Sequence, residues 1–185
     1  MKPYETKTEV NAQHNTFQGK LRIKTLVKYF HGKLFGEVLY VGRSDQLAQT
    51  LLDNNDIKMC HTNDDLDTSG SKREPRFDII IMSHVIEHLF NPLFCLHQLK
   101  KELKNSGIIY IILPQRPKFL WTDNHFHEID DKRMRCLLDR AGLEILEKSR
   151  QTHRKEWFTM FFGIRPFLRL LIGRKATIYK LRRSK

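Results

Sequence analysis

The stretch Phe77-Asp78-Ile79-Ile80-Ile81-Met82-Ser83-His84-Val85-Ile86-Glu87-His88-Leu89-Phe90-Asn91-Pro92 decides the fold. From Phe77 to Met82 it is almost continuously apolar, as a strand covered on both faces must be. Pro92 suits the first turn of a helix, where its missing N–H costs nothing. Between them, His84, Glu87 and His88 spell H-x-x-E-H. On a helix, that string sets two imidazoles one turn apart around zinc. Here an apolar strand runs directly into His84 and a new helix opens at Pro92. The string is therefore read as a strand-end loop with one short turn.

Outward from this stretch, the same two patterns alternate. Residues 1–14 are polar and are expected to be a flexible N-terminus. Phe17, Leu21, Ile23, Leu26, Val27 and Phe30 recur at mostly helical spacing, and Gly32 stops that helix. Glu37 to Gly42 is a short β-branched run ending in glycine. Ser44 or Asp45 caps a helix running to about Leu52. Ile57 to Thr62 fits a strand, and the polar stretch from Asn63 to Arg76 reads as a loop. After Pro92 the spacing of Leu93, Leu96, Leu99 and Leu103 predicts a helix ended by Asn105-Ser106-Gly107. Ile108 to Leu113 is a second doubly covered strand, closed by Pro114. A helix over Asp130 to Ala141 stops at Gly142, and strands follow at 143–148 and 176–181. Strands alternating with helices imply right-handed crossovers and a mainly parallel sheet. Ligands of such sheets bind beyond the carboxyl ends of the strands, where Gly42, Ser83-His84 and Pro114 fall.

These pieces, in this order, resemble the class I S-adenosylmethionine-dependent methyltransferases, in the broad type 11/type 23 group. The resemblance covers residues 36–148. Its strongest part is the opening stretch, which matches the group's FD-hydrophobic-SxVxEHL-x-D/N-P string; Arg140-Ala141-Gly142-Leu143 matches a later one. It implies an α/β, Rossmann-like, mainly parallel sheet flanked by helices. It also implies S-adenosyl-L-methionine as cofactor, held by Val41, Gly42, Ser44 and Ser83, with an acid after the second strand for the ribose hydroxyls. Asp64 is favoured for that acid over Asp65 and Asp67. Two departures stand out. The glycine motif is degenerate: Tyr40 replaces an acid, and Ser44 and Gln46 replace two glycines. And only 12 residues separate Asp64 from Phe77, too few for the helix, strand and helix the family places there. The sheet is thus expected to lack about one edge strand, leaving the second strand at the edge.

Some relatives hold a divalent cation at E-x-x-E-H, where it lowers the pKa of a substrate hydroxyl. By that resemblance Glu87, His88, His84 and His125 are the candidate metal ligands. In other relatives the same residues stitch the loop together. A hydroxyl acceptor also needs a base for its proton, and His84, His125 and His127 are the candidates, because imidazole titrates near neutrality. Phe119 and Trp121 are candidate walls for the acceptor. The implied activity is methyl transfer to oxygen or nitrogen of a small or lipid-linked acceptor. The competing expectation is a catalytically degenerate domain that binds a partner or membrane.

Composition narrows the setting. The net charge is +12, and it is concentrated: residues 150–185 carry 11 Lys/Arg against the single acid Glu156. Aromatic and aliphatic residues interleave with arginines over 151–175, read as an insertion before the last strand of a single domain, 15–185. Such a segment suits an anionic membrane surface, a lid over the cleft or packing on the sheet. Nucleic acid is a weaker partner, since no RNA-binding module accompanies the arginines. No run of about 18 apolar residues occurs, the N-terminus lacks an apolar signal core, and three cysteines form no disulfide pattern. A cytoplasmic protein, peripheral to a membrane if the tail binds one, is expected.

Overall fold

A computed structural model describes residues 17–42, 44–62, 65–68, 76–115, 126–127, 129–152 and 175–184. Helix α1 spans Phe17–Phe30, and strand β1 spans Glu37–Val41. Helix α2 (Gln46–Asp53), strand β2 (Lys58–His61) and strand β3 (Phe77–Ser83) follow. A single 3-10 turn, Ile86–His88, leads to helix α3 (Pro92–Glu102) and strand β4 (Leu103–Gln115). Helix α4 (Asp131–Ala141) and strands β5 (Leu143–Thr152) and β6 (Lys175–Arg183) complete the described elements.

The strands form one sheet in the order β2-β1-β3-β4-β6-β5. The first four are mutually parallel; β6 runs antiparallel to both β4 and β5. β2 is therefore an edge, as the short 64–77 connection requires. The alternation of side chains sorts the core onto two faces. Val38, Tyr40, Ile79, Ile81, Tyr110 and Ile112 pack beneath α1 and α2. Leu39, Val41, Ile80, Met82, Ile109 and Ile111 pack beneath α3 and α4. Both faces are covered, which is why β3 and β4 read as unbroken apolar runs.

One expectation is corrected. Helix α3 ends at Glu102, not at Asn105-Ser106-Gly107, and Leu103 belongs to the next strand. Leu103 pairs with Phe77, and the next pair is Ile108 with Ile79. Two steps along β3 thus face five along β4, so Lys104 to Gly107 are looped out of the ladder. The helical spacing of Leu103 was real, but its side chain is fully buried as a strand residue. Gly107 is required there, since a Cβ would sit 2.7 Å from the Leu103 side chain.

The amino ends of the strands are tied by side chains. Asp78 accepts from Glu37 N (3.0 Å) and from Lys104 Nζ (2.9 Å), joining the starts of β1, β3 and β4. These donors hold its carboxyl below the usual range, the Lys104 hydrogen bond most of all. Arg183 donates to the carbonyls of Lys100 and Leu103, and Lys100 Nζ donates to Ala141 O.

Candidate functional site

At the opposite, carboxyl ends, β1 and β3 are neighbours, with Val41 opposite Met82. That register brings Gly42 beside Ser83. Gly42 has φ 106°, a conformation that disfavours any side chain. Its N–H donates to Thr62 Oγ1 at 3.1 Å, so the end of β2 pins the turn. Asp45 caps α2, accepting from Ala48 N at 2.8 Å. Ser44 is exposed, and Gln46 is the first helical residue with an exposed side chain. The bulky residue at the third glycine position therefore points out of the turn.

Tyr40, in the place of the family's acid, is buried, and its hydroxyl lies 3.1 Å from both carboxylate oxygens of Asp45. Burial and then the Asp45 charge push its pKa well above the usual tyrosine value, so the hydroxyl keeps its proton and donates it to Asp45.

Beyond β3 the chain turns sharply. His84 is the only non-glycine residue with positive φ (54°) among those described, and its N–H donates to Ile112 O at 3.0 Å. A left-handed histidine is uncommon, and such strain is retained where the surroundings over-determine it. His84 Nδ1 lies 3.4 Å from Glu87 Oε1, with Glu87 only 2% exposed. Burial lowers the pKa of the His84 ring; Glu87 opposes that, and the charge of Arg22 adds to it. A neutral ring with its proton on Nδ1, the nitrogen nearer Glu87, presents a lone pair at Nε2. That atom is buried with no hydrogen-bond partner among the described residues. Ser83 Oγ is buried too, adjoining the Tyr40 hydroxyl without a hydrogen bond of good geometry. Buried polar atoms are normally satisfied, so this group is suited to a bound polar molecule.

His127 comes to the same loop: its N–H donates to Glu87 O at 3.2 Å, and its Nε2 lies 3.3 Å from Phe90 O. Both contacts brace the turn. The rings of Phe90 and Phe126, each about half exposed, stack with centroids 4.0 Å apart beside it. Asp65 and Asp67 are engaged locally: Asp65 accepts from Thr68 Oγ1 and Asp67 N, and Asp67 accepts from Asn91 N. Asp64, Phe119, Trp121 and His125 lie outside the described residues. Among the described residues no three His, Cys, Asp or Glu side chains come together as a metal site. The structure thus brings together Val41, Gly42, Ser83, His84, Glu87 and His127, and leaves Ser44 exposed at the edge of the turn. Sequence reasoning missed the Tyr40–Asp45 pair and Thr62. The capping role of Asp45 was visible, but its contact with Tyr40 depends on the loop's path.

No family model and no curated protein matches the sequence. Solved structures do match its fold. A 1,6-didemethyltoxoflavin-N1-methyltransferase from Burkholderia thailandensis, with its acceptor and S-adenosylhomocysteine bound, superposes with a TM-score of 0.66 at 11% identity, covering 96% of this chain and 85% of that one. An S-adenosylmethionine-dependent methyltransferase from Archaeoglobus fulgidus gives 0.61 at 16%, covering 95% of this chain and all of that one. The [4+2]-cyclase SpnF gives 0.56 at 14%, covering 90% and 82%. With the sheet order, the crossovers and these superpositions together, the chain has the fold of the class I S-adenosylmethionine-dependent methyltransferases, with β2 at the edge of the sheet formed by the described residues.

Proposed function

We propose that the protein is an S-adenosylmethionine-dependent methyltransferase acting on oxygen or nitrogen of a small or lipid-linked acceptor. The observation that carries this reading is the juxtaposition of Gly42, in its side-chain-excluding conformation, with the unpartnered buried atoms Ser83 Oγ and His84 Nε2 at adjacent strand ends. When bound, the cofactor supplies a methyl group already activated by the sulfonium charge. What remains for the chain is to exclude water, align the acceptor at near-attack distance and take one proton. His84 is the base in this reading, with Nε2 receiving the proton and the Glu87 carboxylate, 3.4 Å from Nδ1, favouring the charged ring that results. The Phe90–Phe126 pair offers an apolar edge for the acceptor's body. Asp64 is assigned to the ribose hydroxyls by its position after β2.

Calorimetric titration with S-adenosylhomocysteine tests the reading. Binding in the micromolar range is expected, and absence of binding at millimolar ligand rejects it. Metal analysis of the purified protein, with His88→Ala as control, tests the cation set of Glu87, His88, His84 and His125.

A second reading has its own observation: the strand acid is gone, and Tyr40 fills its place. On this reading the domain, 15–185 with its insertion 151–175, is a membrane- or partner-binding module. SpnF, named for a cyclisation, has a similar fold, so the fold alone does not fix the chemistry. Among the described residues no helix is long and apolar enough to cross a membrane. Peripheral binding through 151–185, from the cytoplasmic side, is tested by flotation with anionic liposomes, with and without residues 151–175.

A further inference from the structure

Helix α1 carries more charge than the fold uses. Its 14 residues include Lys20, Arg22, Lys24 and Lys28 and no acid. Lys20, Lys24 and Lys28 recur every fourth residue, so they stand in one row on the helix surface. All three are exposed, and none has a hydrogen bond or ion pair with a described residue. The row borders a groove of about 310 Å³ between α1 and α2. From α1 it is lined by Lys20 and Lys24 and by the apolar Ile23 and Val27. From α2 it is lined by Gln46, Thr50 and Asn54, which are polar and uncharged. The acids of α2 and its cap are engaged elsewhere: Asp45 by Tyr40 and Ala48 N, and Asp53 by Gln49 Nε2 at 2.9 Å. The groove is therefore cationic along one rim, with apolar side chains inside and no acid in its lining.

That combination fits a phospholipid headgroup layer. The ammonium groups meet phosphates and carboxylates, while the lysine stems, Ile23 and Val27 meet the less polar layer beneath. A nucleic-acid backbone would also attract the lysines, but no aromatic ring lines the groove to stack a base. We propose that the lysine row of α1 and the α1–α2 groove form a docking surface for an anionic phospholipid bilayer. The groove reaches Gln46, the first residue of α2 and four residues beyond Gly42. A bilayer held there adjoins the candidate site, as a lipid-linked acceptor requires. The surface is distinct from the basic segment 151–185, and docking does not depend on the cofactor reading.

The test is co-sedimentation of the full chain with vesicles of phosphatidylcholine plus phosphatidylserine, and with vesicles of phosphatidylcholine alone. Two triple variants lose the same charge: Lys20→Gln/Lys24→Gln/Lys28→Gln on α1, and Lys132→Gln/Arg135→Gln/Arg140→Gln, three exposed cations on α4, on the other face of the sheet. Glutamine is a good helix former and every replaced side chain is exposed, so both helices are expected to stay folded. The α1 variant is expected to weaken binding to the anionic vesicles about fivefold per lysine, on the order of a hundredfold in all. The α4 variant should change it less than about threefold, because its cations lie beyond a screening length from the bilayer. Equal losses in the two variants would mean that net charge alone binds, and would overturn the proposal. Undiminished binding of the α1 variant would overturn it too and leave 151–185 as the membrane contact. Loss of oligonucleotide binding without loss of vesicle binding would make the row a nucleic-acid surface instead. A wild type that sediments with neither vesicle would overturn both this surface and the membrane reading of 151–185, while leaving the cofactor reading in place.

Discussion

The two ends of the sheet are built on opposite principles. At the amino ends, Asp78, Lys104, Lys100 and Arg183 satisfy one another or satisfy backbone carbonyls, and the strand starts are locked together. At the carboxyl ends, Gly42 and His84 sit at positive φ, and Ser83 Oγ and His84 Nε2 are buried without hydrogen-bond partners among the described residues. The amino end is the more nearly finished, although Arg183 Nε there is buried without a hydrogen bond among the described residues; the unfinished end gathers Ser83 Oγ, His84 Nε2 and both Glu87 carboxylate oxygens in that condition. Stability and function therefore reside at different ends, and substitutions should separate them.

The largest effect is expected at the finished end. Gly36 has φ 67°, and a Cβ there would lie 2.3 Å from Asp78 Oδ2. Gly36→Ala imposes left-handed strain of about 1 kcal/mol. It also displaces a carboxylate that holds three strands, at about 1 kcal/mol for each weakened hydrogen bond. A total near 2–3 kcal/mol is expected in urea unfolding, with ligand affinity unchanged for the folded fraction. Asp78→Ala removes the same contacts without the backbone strain and should cost about 1–2 kcal/mol. If either variant weakened S-adenosylhomocysteine binding as strongly as it weakened the fold, the separation of ends would be wrong.

At the unfinished end the effect on stability should shrink. Glu87 is buried with no hydrogen bond of good geometry to its carboxylate, His84 being 3.4 Å away. Burial opposes the Glu87 charge, but His84 holds its pKa below the usual value, so the ionised carboxylate is net favourable in the folded state and Glu87→Gln should cost a little stability at neutral pH, less than Asp78→Ala. Methyl transfer to a hydroxyl acceptor should fall, because the neutral amide no longer offsets the charge that His84 gains with the proton. A large loss of stability would make Glu87 a structural residue like Asp78.

The legibility of the two ends differed as well. Doubly apolar β3 and β4, a cap at Ser44 or Asp45 and the stop at Gly142 follow from local pattern, and the edge position of β2 followed from the short connection after it. The end of α3 was misread because Leu93, Leu96, Leu99 and Leu103 keep helical spacing across a boundary that pairing with Phe77 decides. The strand-end turn that carries Ser83, His84 and Glu87 was legible because it is continuous in sequence. It was not legible where it depends on a turn's path. Tyr40 looked like a defect in a motif until its hydroxyl was seen on Asp45, five residues on.

The smallest effect isolates a carboxylate that is satisfied. Asp131, at the start of α4, accepts from Lys148 Nζ, from Arg150 at 3.2 Å and from Tyr179 Oη at 2.5 Å. The Lys148 and Tyr179 hydrogen bonds bring its pKa down to about 2. In the unfolded chain an aspartate titrates near 4. The folded state therefore binds the proton less readily than the unfolded state between these values. Its stabilising contribution is complete above about pH 4, declines as the pH falls toward 2 and is gone below that. The side chain is 38% exposed, so solvent screens the ion pairs and the gain is small. Asp131→Asn should lower the melting temperature slightly at pH 7, and the gap between variant and wild type should close on acidification. A gap for Asp131→Asn that persisted at pH 2 would mean that the amide's shape, and not the lost charge, disturbs the start of α4.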